Sequence, residues 1–157
     1  MHTVAQLQAK GHPKAQGDAV PTPAEPNETL TGYFDGSCPL CTAEINHYKR
    51  QKGAERLNFV DVSQEGANPG PDLSPRDAMR RFHVRRADGA LVSGARGFVA
   101  IWQVLPRWRW AARIGSLPGV PTVMEVGYRL FLPVRPLLSK IASRLGARPA
   151  NECGCGR

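Results

Sequence analysis

Leu30-Thr31-Gly32-Tyr33-Phe34-Asp35-Gly36-Ser37-Cys38-Pro39-Leu40-Cys41 is the stretch on which the reading of this chain turns. Its first half is rich in β-forming residues and predicts a short strand. Gly36 and Ser37 then turn the chain. Pro39 suits the first turn of a helix, where a missing N–H removes no intrahelical bond. The helix continues through Ala43, Glu44 and Ile45 to about Lys52, and Gly53 stops it. Cys41, Ile45 and Tyr48 recur at spacings of four and three, on one stripe that is expected to face a sheet. A Cys-x-x-Cys pair therefore lies at a strand-to-helix junction.

Further along, Arg56 to Val62 reads as a second strand, and residues 63–72 form a Pro/Gly/Asn loop. Ser74, Pro75 and Asp77 carry the marks of a helix start, with the helix running to about Arg81. Phe82 to Arg86 and Ala90 to Val92 flank Ala87-Asp88-Gly89, and an Asp-Gly between short strands signals a hairpin. Ala95 to Leu105 is helical, with Phe98, Ile101, Trp102 and Leu105 on one face, and Pro106 closes it. The order β-α-β-α-β-β-α, read as two parallel crossovers followed by a hairpin and a helix, is an α/β thioredoxin-like topology. Extra C-terminal helices follow: Trp108 to Ile114, then a segment carrying Val123, Met124, Tyr128 and Phe131. Pro133 and Pro136 are expected to break that segment, and Val134, Leu137, Leu138, Ile141 and Leu145 to resume on a final helix. Glu125, Arg129, Arg135 and Lys140 give these segments polar faces. The expected organisation is a disordered segment over 1–28, a thioredoxin-like domain over 29–106, a helical extension over 107–146 and a flexible Cys-containing tail over 147–157.

The 157 residues carry a formal charge of +8, and 41% are hydrophobic. That is apolar enough for a core. The four cysteines form two close pairs, Cys38/Cys41 and Cys153/Cys155. This pattern points to redox or metal chemistry and not to a disulfide-stapled scaffold. Met1 to Lys10 hold no apolar stretch of signal-peptide length, and no run of about 18 residues is free of charge. A cytoplasmic location is the expectation that follows. Nucleic acid is not expected as a partner, because only net charge favours it and no recognised motif is present.

A helix start presents unpaired N–H groups and a positive dipole end to the first sulfur, which favours thiolate over thiol. Cys38 is therefore the expected nucleophile of disulfide exchange, with a protein or low-molecular-weight thiol as partner. Cys41, one turn deeper, is the expected resolver, sheltered while Cys38 is exposed. No organic cofactor is required. Asp35 has two readings: a carboxylate that relays a proton near the sulfurs, or a turn residue accepting backbone N–H bonds. Cys153 and Cys155 are an exchanging tail, or two further ligands that complete a zinc thiolate site with Cys38 and Cys41, or incidental thiols. His47 reads as a surface residue and His83 as a strand residue of structural role. Arg107-Trp108-Arg109-Trp110 and the helices after it suit peripheral contact with an anionic bilayer. They equally suit packing over the core, which the need of these helices to bury an apolar stripe favours.

Tyr33-Phe34-Asp35-Gly36-Ser37-Cys38-Pro39-Leu40-Cys41 also resembles the signature of the DCC family, named for one Asp and two Cys. The resemblance extends through Asp88-Gly89, Ser93-Gly94-Ala95, Leu105-Pro106-Arg107-Trp108, Leu117-Pro118-Gly119-Val120 and Tyr128-Arg129, or roughly residues 30–145. It implies a thioredoxin-like fold and thiol–disulfide oxidoreductase activity, with Asp35, Cys38 and Cys41 as the site. Two features depart from thioredoxins themselves. No Pro occurs around Met79 to Val84, where those carry a cis-Pro, and no Trp precedes Cys38.

Overall fold

Leu30–Phe34 is apolar at nearly every position, as suits a strand covered on both faces. It is β1, the inner strand from which the rest of the sheet extends. In the computed structural model, residues 29–150 are described. Along the chain follow α1 (Pro39–Lys49), β2 (Leu57–Asp61), α2 (Pro75–Arg80), β3 (His83–Arg85), β4 (Leu91–Ser93), α3 (Ala95–Val104), α4 (Arg109–Gly115) and α5 (Val120–Arg144). Short 3₁₀ turns at Ala54–Arg56 and Pro106–Trp108 lead into β2 and α4. The sheet order is β2-β1-β3-β4. This is the mixed α/β, thioredoxin-like arrangement expected from the sequence.

One part of that expectation needs correction. β1 and β2 are parallel, with Leu30 opposite Leu57, but β3 runs antiparallel to β1, with Tyr33 opposite His83 and Thr31 opposite Arg85. The second crossover is therefore not parallel. The loop after β2 descends alongside the sheet by itself. Arg85, at the far end of β3, holds it there through Asp72 at 2.7 Å and the Pro69 carbonyl at 3.1 Å. α2 then makes the return pass, so β3 begins at the end where β1 finishes. Ser74 caps α2 as read from the sequence, accepting the Asp77 N–H at 3.1 Å.

The main core lies between the sheet and α1 and α3. Leu30, Val84, Ile101 and Leu105 are fully buried there, beside Phe34, Ile45 and Tyr48. Trp108 stacks on Trp102 with ring centroids 5.7 Å apart, so half of the Arg-Trp-Arg-Trp run packs inward, whereas Trp110 is 63% exposed.

α5 departs from the expectation most. It is one continuous helix of 25 residues with Pro133 and Pro136 inside it. Each internal proline costs a helix about 3 kcal/mol. The offset comes from contacts on both sides of the prolines. Tyr128 Oη accepts the Phe82 N–H at 2.9 Å. Glu125 pairs with Arg81 and accepts the Ala95 N–H at 3.3 Å. Arg135, between the prolines, and Ser139, beyond them, reach the start of α1.

Candidate active site

The turn between β1 and α1 is held by side-chain acceptors. The Gly36 N–H donates to Asp61 Oδ1 at 2.9 Å. A Cβ on Gly36 would lie 2.0 Å from Asp61 Oδ2, so this residue must be glycine for the carboxylate to stay in place. Asp35 Oδ1 accepts the Ser37 N–H at 3.0 Å and also the Ser37 hydroxyl. That is the turn role foreseen for Asp35. Cys38 then becomes the N-cap of α1, and its sulfur accepts the Cys41 N–H at 3.4 Å. A sulfur thus fills the place that a hydroxyl or carboxylate oxygen takes at most helix starts.

α5 completes the site from about a hundred residues away in sequence. Arg135 Nε–H donates to Cys38 Sγ at 3.4 Å, and Ser139 Oγ lies 3.1 Å from the same sulfur. Arg135 also pairs with Asp35 Oδ2 and donates to the Met79 carbonyl at 3.3 Å. The two side chains of the Arg135–Asp35 pair are 15% and 14% exposed, so solvent screens them little. Neither Arg135 nor Ser139 was singled out from the sequence. The signal was present: Met124, Tyr128, Phe131 and Ala142 mark an inward stripe on α5. Arg135 and Ser139 are the polar interruptions in it, at helical spacing.

The two cysteines are driven apart in acidity. Cys38 is lowered to about 4, first by the hydrogen bond from the Cys41 thiol, then by those from Ser139 and Arg135, which together outweigh its burial. Cys41 is pushed far above the ordinary thiol range, because its proton is engaged by Cys38 and because it is desolvated. At neutral pH the pair is one thiolate and one thiol sharing a single proton. The sign of the stability effect follows from this. A group with a depressed folded-state value stabilises the fold fully above its unfolded value, and loses that contribution as pH falls toward the folded value. The reduced protein is therefore expected to gain stability over Cys38→Ser as pH rises from about 4 to about 9. Urea unfolding of both proteins across that window checks it, and a constant difference between them would refute it.

The exposures reverse the sequence expectation. Cys38 is 6% exposed, while Cys41 is only half-buried. The reason is α5, which lies over the junction and places Arg135 and Ser139 in front of the nucleophile. Beside Cys41, under the same helix, is a cavity of about 50 Å³ walled largely by Phe34, Ile45, Phe82, Phe98, Tyr128 and Phe131.

Other candidates resolve simply. His47 is exposed and meets the edge of Trp108, with ring centroids 6.1 Å apart. His83 is buried on β3, where its Nδ1 engages the Arg81 carbonyl at 2.8 Å, a structural role. Arg81 and Phe82 precede β3, and no peptide bond among the described residues is cis. Cys153 and Cys155 lie outside the described residues, as does the 1–28 segment. The chain that leads to those cysteines does return to the site, since the Ala150 N–H donates to the Gly36 carbonyl at 2.8 Å. Among the described residues, no cluster of three or more His, Cys, Asp or Glu could hold a metal ion.

An uncharacterized chloroplastic protein of Arabidopsis thaliana is 26% identical over 140 residues, which cover 84% of this chain and 65% of the relative. The chain thus spans just under two thirds of that relative's length. No solved structure matches. The family model described as DCC1-like thiol-disulfide oxidoreductase matches residues 33–140, which run from β1 through the Ser139 contact on α5. With both cysteines, Asp35 and Arg135 inside that span, the chain belongs to the DCC1-like thiol-disulfide oxidoreductase family.

Proposed function

We propose that this protein catalyses thiol–disulfide exchange through Cys38 and Cys41, and that it favours oxidation of its partner. The observation that carries the reading is the Cys38 sulfur, held as thiolate by the Cys41 N–H, Arg135 and Ser139, beside a Cys41 that keeps its proton. In the oxidised protein a partner thiolate attacks the Cys38 sulfur. The Cys38–Cys41 bond breaks, and Cys41 leaves as thiolate and takes up a proton. A second partner thiolate then attacks the partner sulfur in the mixed disulfide and releases the Cys38 thiolate. Two electrons pass from the partner dithiol to the protein. Stabilising the departing Cys38 thiolate stabilises the reduced form, which makes the disulfide the stronger oxidant. Asp35 holds Arg135 over the sulfur, and its negative charge helps to keep the proton on Cys41. The partner class is a protein or low-molecular-weight thiol.

The test is a thiol map across a graded glutathione series, by alkylation and mass spectrometry, with all four cysteines read separately. Cys38 and Cys41 are expected to convert together, at a potential above the value of about −270 mV of thioredoxin. Conversion at or below that value refutes the oxidising direction. One specific alternative is a zinc thiolate site of Cys38, Cys41, Cys153 and Cys155. The Ala150–Gly36 hydrogen bond favours it by bringing the chain to the turn three residues before Cys153. Resistance of all four thiols to alkylation until a chelator is added would establish that site in place of the redox reading.

A further inference from the structure

α5 presents a second apolar face, opposite the one that packs on the domain. Val123, Val126, Leu130, Leu137 and Ile141 are 72%, 53%, 69%, 62% and 46% exposed. Their spacings of three, four, seven and four keep them on one side of the helix. They run about 27 Å along its axis at 1.5 Å per residue. Ile114 and Leu117, both about half exposed, extend this surface to the end of α4, which packs against α5. Water-facing helices of monomeric proteins carry polar residues in such places, and an apolar stripe left bare marks a partner surface.

The charge around the stripe identifies the partner. Between residues 107 and 150 the only acidic residue is Glu125, which is engaged with Arg81 and Arg129. Against it stand eight Arg and Lys residues. Arg135 is turned inward to Asp35, while Arg107, Arg109, Arg113, Lys140, Arg144 and Arg148 are exposed. Trp110 stands in the water among the first three of these. A nucleic acid would meet the cations but leave the stripe in water. A second copy of the chain would set the same cations against each other, which costs several kcal/mol for like charges brought together. No described helix is long and apolar enough to cross a membrane. An amphipathic helix with Leu, Ile and Val on one face, flanked by Arg, Lys and Trp, instead lies in the headgroup region of a bilayer. We infer that the outer face of α4 and α5 is a docking surface for an anionic lipid bilayer, with the apolar stripe entering the acyl boundary and the flanking cations meeting the headgroups.

The experiment is co-sedimentation of the full chain with phosphatidylglycerol–phosphatidylcholine vesicles and with phosphatidylcholine vesicles alone. Binding to the anionic vesicles is expected, weakened by added salt and at least tenfold stronger than to the neutral ones. Leu130→Glu combined with Leu137→Glu is expected to lower anionic-vesicle binding at least tenfold. The Cys38 alkylation profile of that variant should match the parent, which shows that the fold is intact. Three outcomes overturn the inference. The parent stays in the supernatant with anionic vesicles, or it binds neutral vesicles equally well. The double variant binds as the parent does. Or the parent sediments as a dimer that the double variant converts to a monomer, which would make a second copy the occupant.

Discussion

Replacing Cys38 by Ser is expected to reduce disulfide exchange to the uncatalysed level, a fall on the order of 10³- to 10⁶-fold, by analogy with the loss of other covalent nucleophiles. The serine hydroxyl keeps the cap geometry but ionises far too weakly to attack or leave at neutral pH. Cys41→Ser is expected to behave differently. Cys38 can still form a mixed disulfide with the partner, and nothing inside the protein resolves it. A covalent complex through Cys38 should accumulate on non-reducing gels and disappear on reduction. If Cys41→Ser turns over as fast as the parent, the two-cysteine mechanism is wrong. If Cys38→Ser retains exchange, the nucleophile has been misassigned.

Arg135→Ala is expected to give the second-largest effect. The guanidinium touches the Cys38 sulfur at 3.4 Å from a position that solvent hardly reaches. Removing an adjacent opposite charge raises such a group by about 1–3 pH units. The midpoint of Cys38 alkylation against pH should therefore move up from about 4 by that amount. The reduction potential should become more negative, because the reduced form is then less stabilised. Arg135→Lys should recover part of the shift, since an ammonium restores the charge but not the fork that spans sulfur, carboxylate and carbonyl. An unchanged midpoint in Arg135→Ala would mean that Cys41 and the helix start hold the thiolate without help from α5.

The half of the site built by local chain geometry was legible in the sequence. β1, the Asp35–Ser37 turn bond, Cys38 at the helix start and Ser74-Pro75 at the next helix are set by residues within a few positions of one another, while the Asp61 carboxylate that holds Gly36 comes from 25 residues away. Local signals of that kind are strong. The half contributed by α5 was not legible in the same way. Arg135 on an amphipathic segment reads as part of a polar face, and only the tertiary register of α5 on α1 turns it toward Cys38. The two prolines pointed to a broken helix because backbone rules were weighed without the contacts that Glu125 and Tyr128 make before them, Arg135 between them and Ser139 after them. The direction of β3 was missed for a related reason. A loop without regular structure made the pass that a crossover helix makes in a parallel unit, and periodicity is silent about such loops. The shielding of Cys38 follows from the same helix that the sequence divided in two.

Those prolines bear on how a covered thiolate can still react. Pro133 and Pro136 have no N–H, so the carbonyls of Arg129 and Leu132 receive no helical hydrogen bond from them. Two backbone bonds that would tie the stretch carrying Arg135 and Ser139 to the preceding turn are thereby missing. Fraying at that one helix end would uncover Cys38 with the sheet and core untouched. Small oxidants that diffuse past a closed helix find the sulfur hidden, which protects it from conversion to sulfinic and sulfonic acids. A partner that lifts the helix end meets a thiolate already formed. Selectivity in such a site resides in the opening step, so of the two described cysteines the more reactive is also the less open to indiscriminate chemistry.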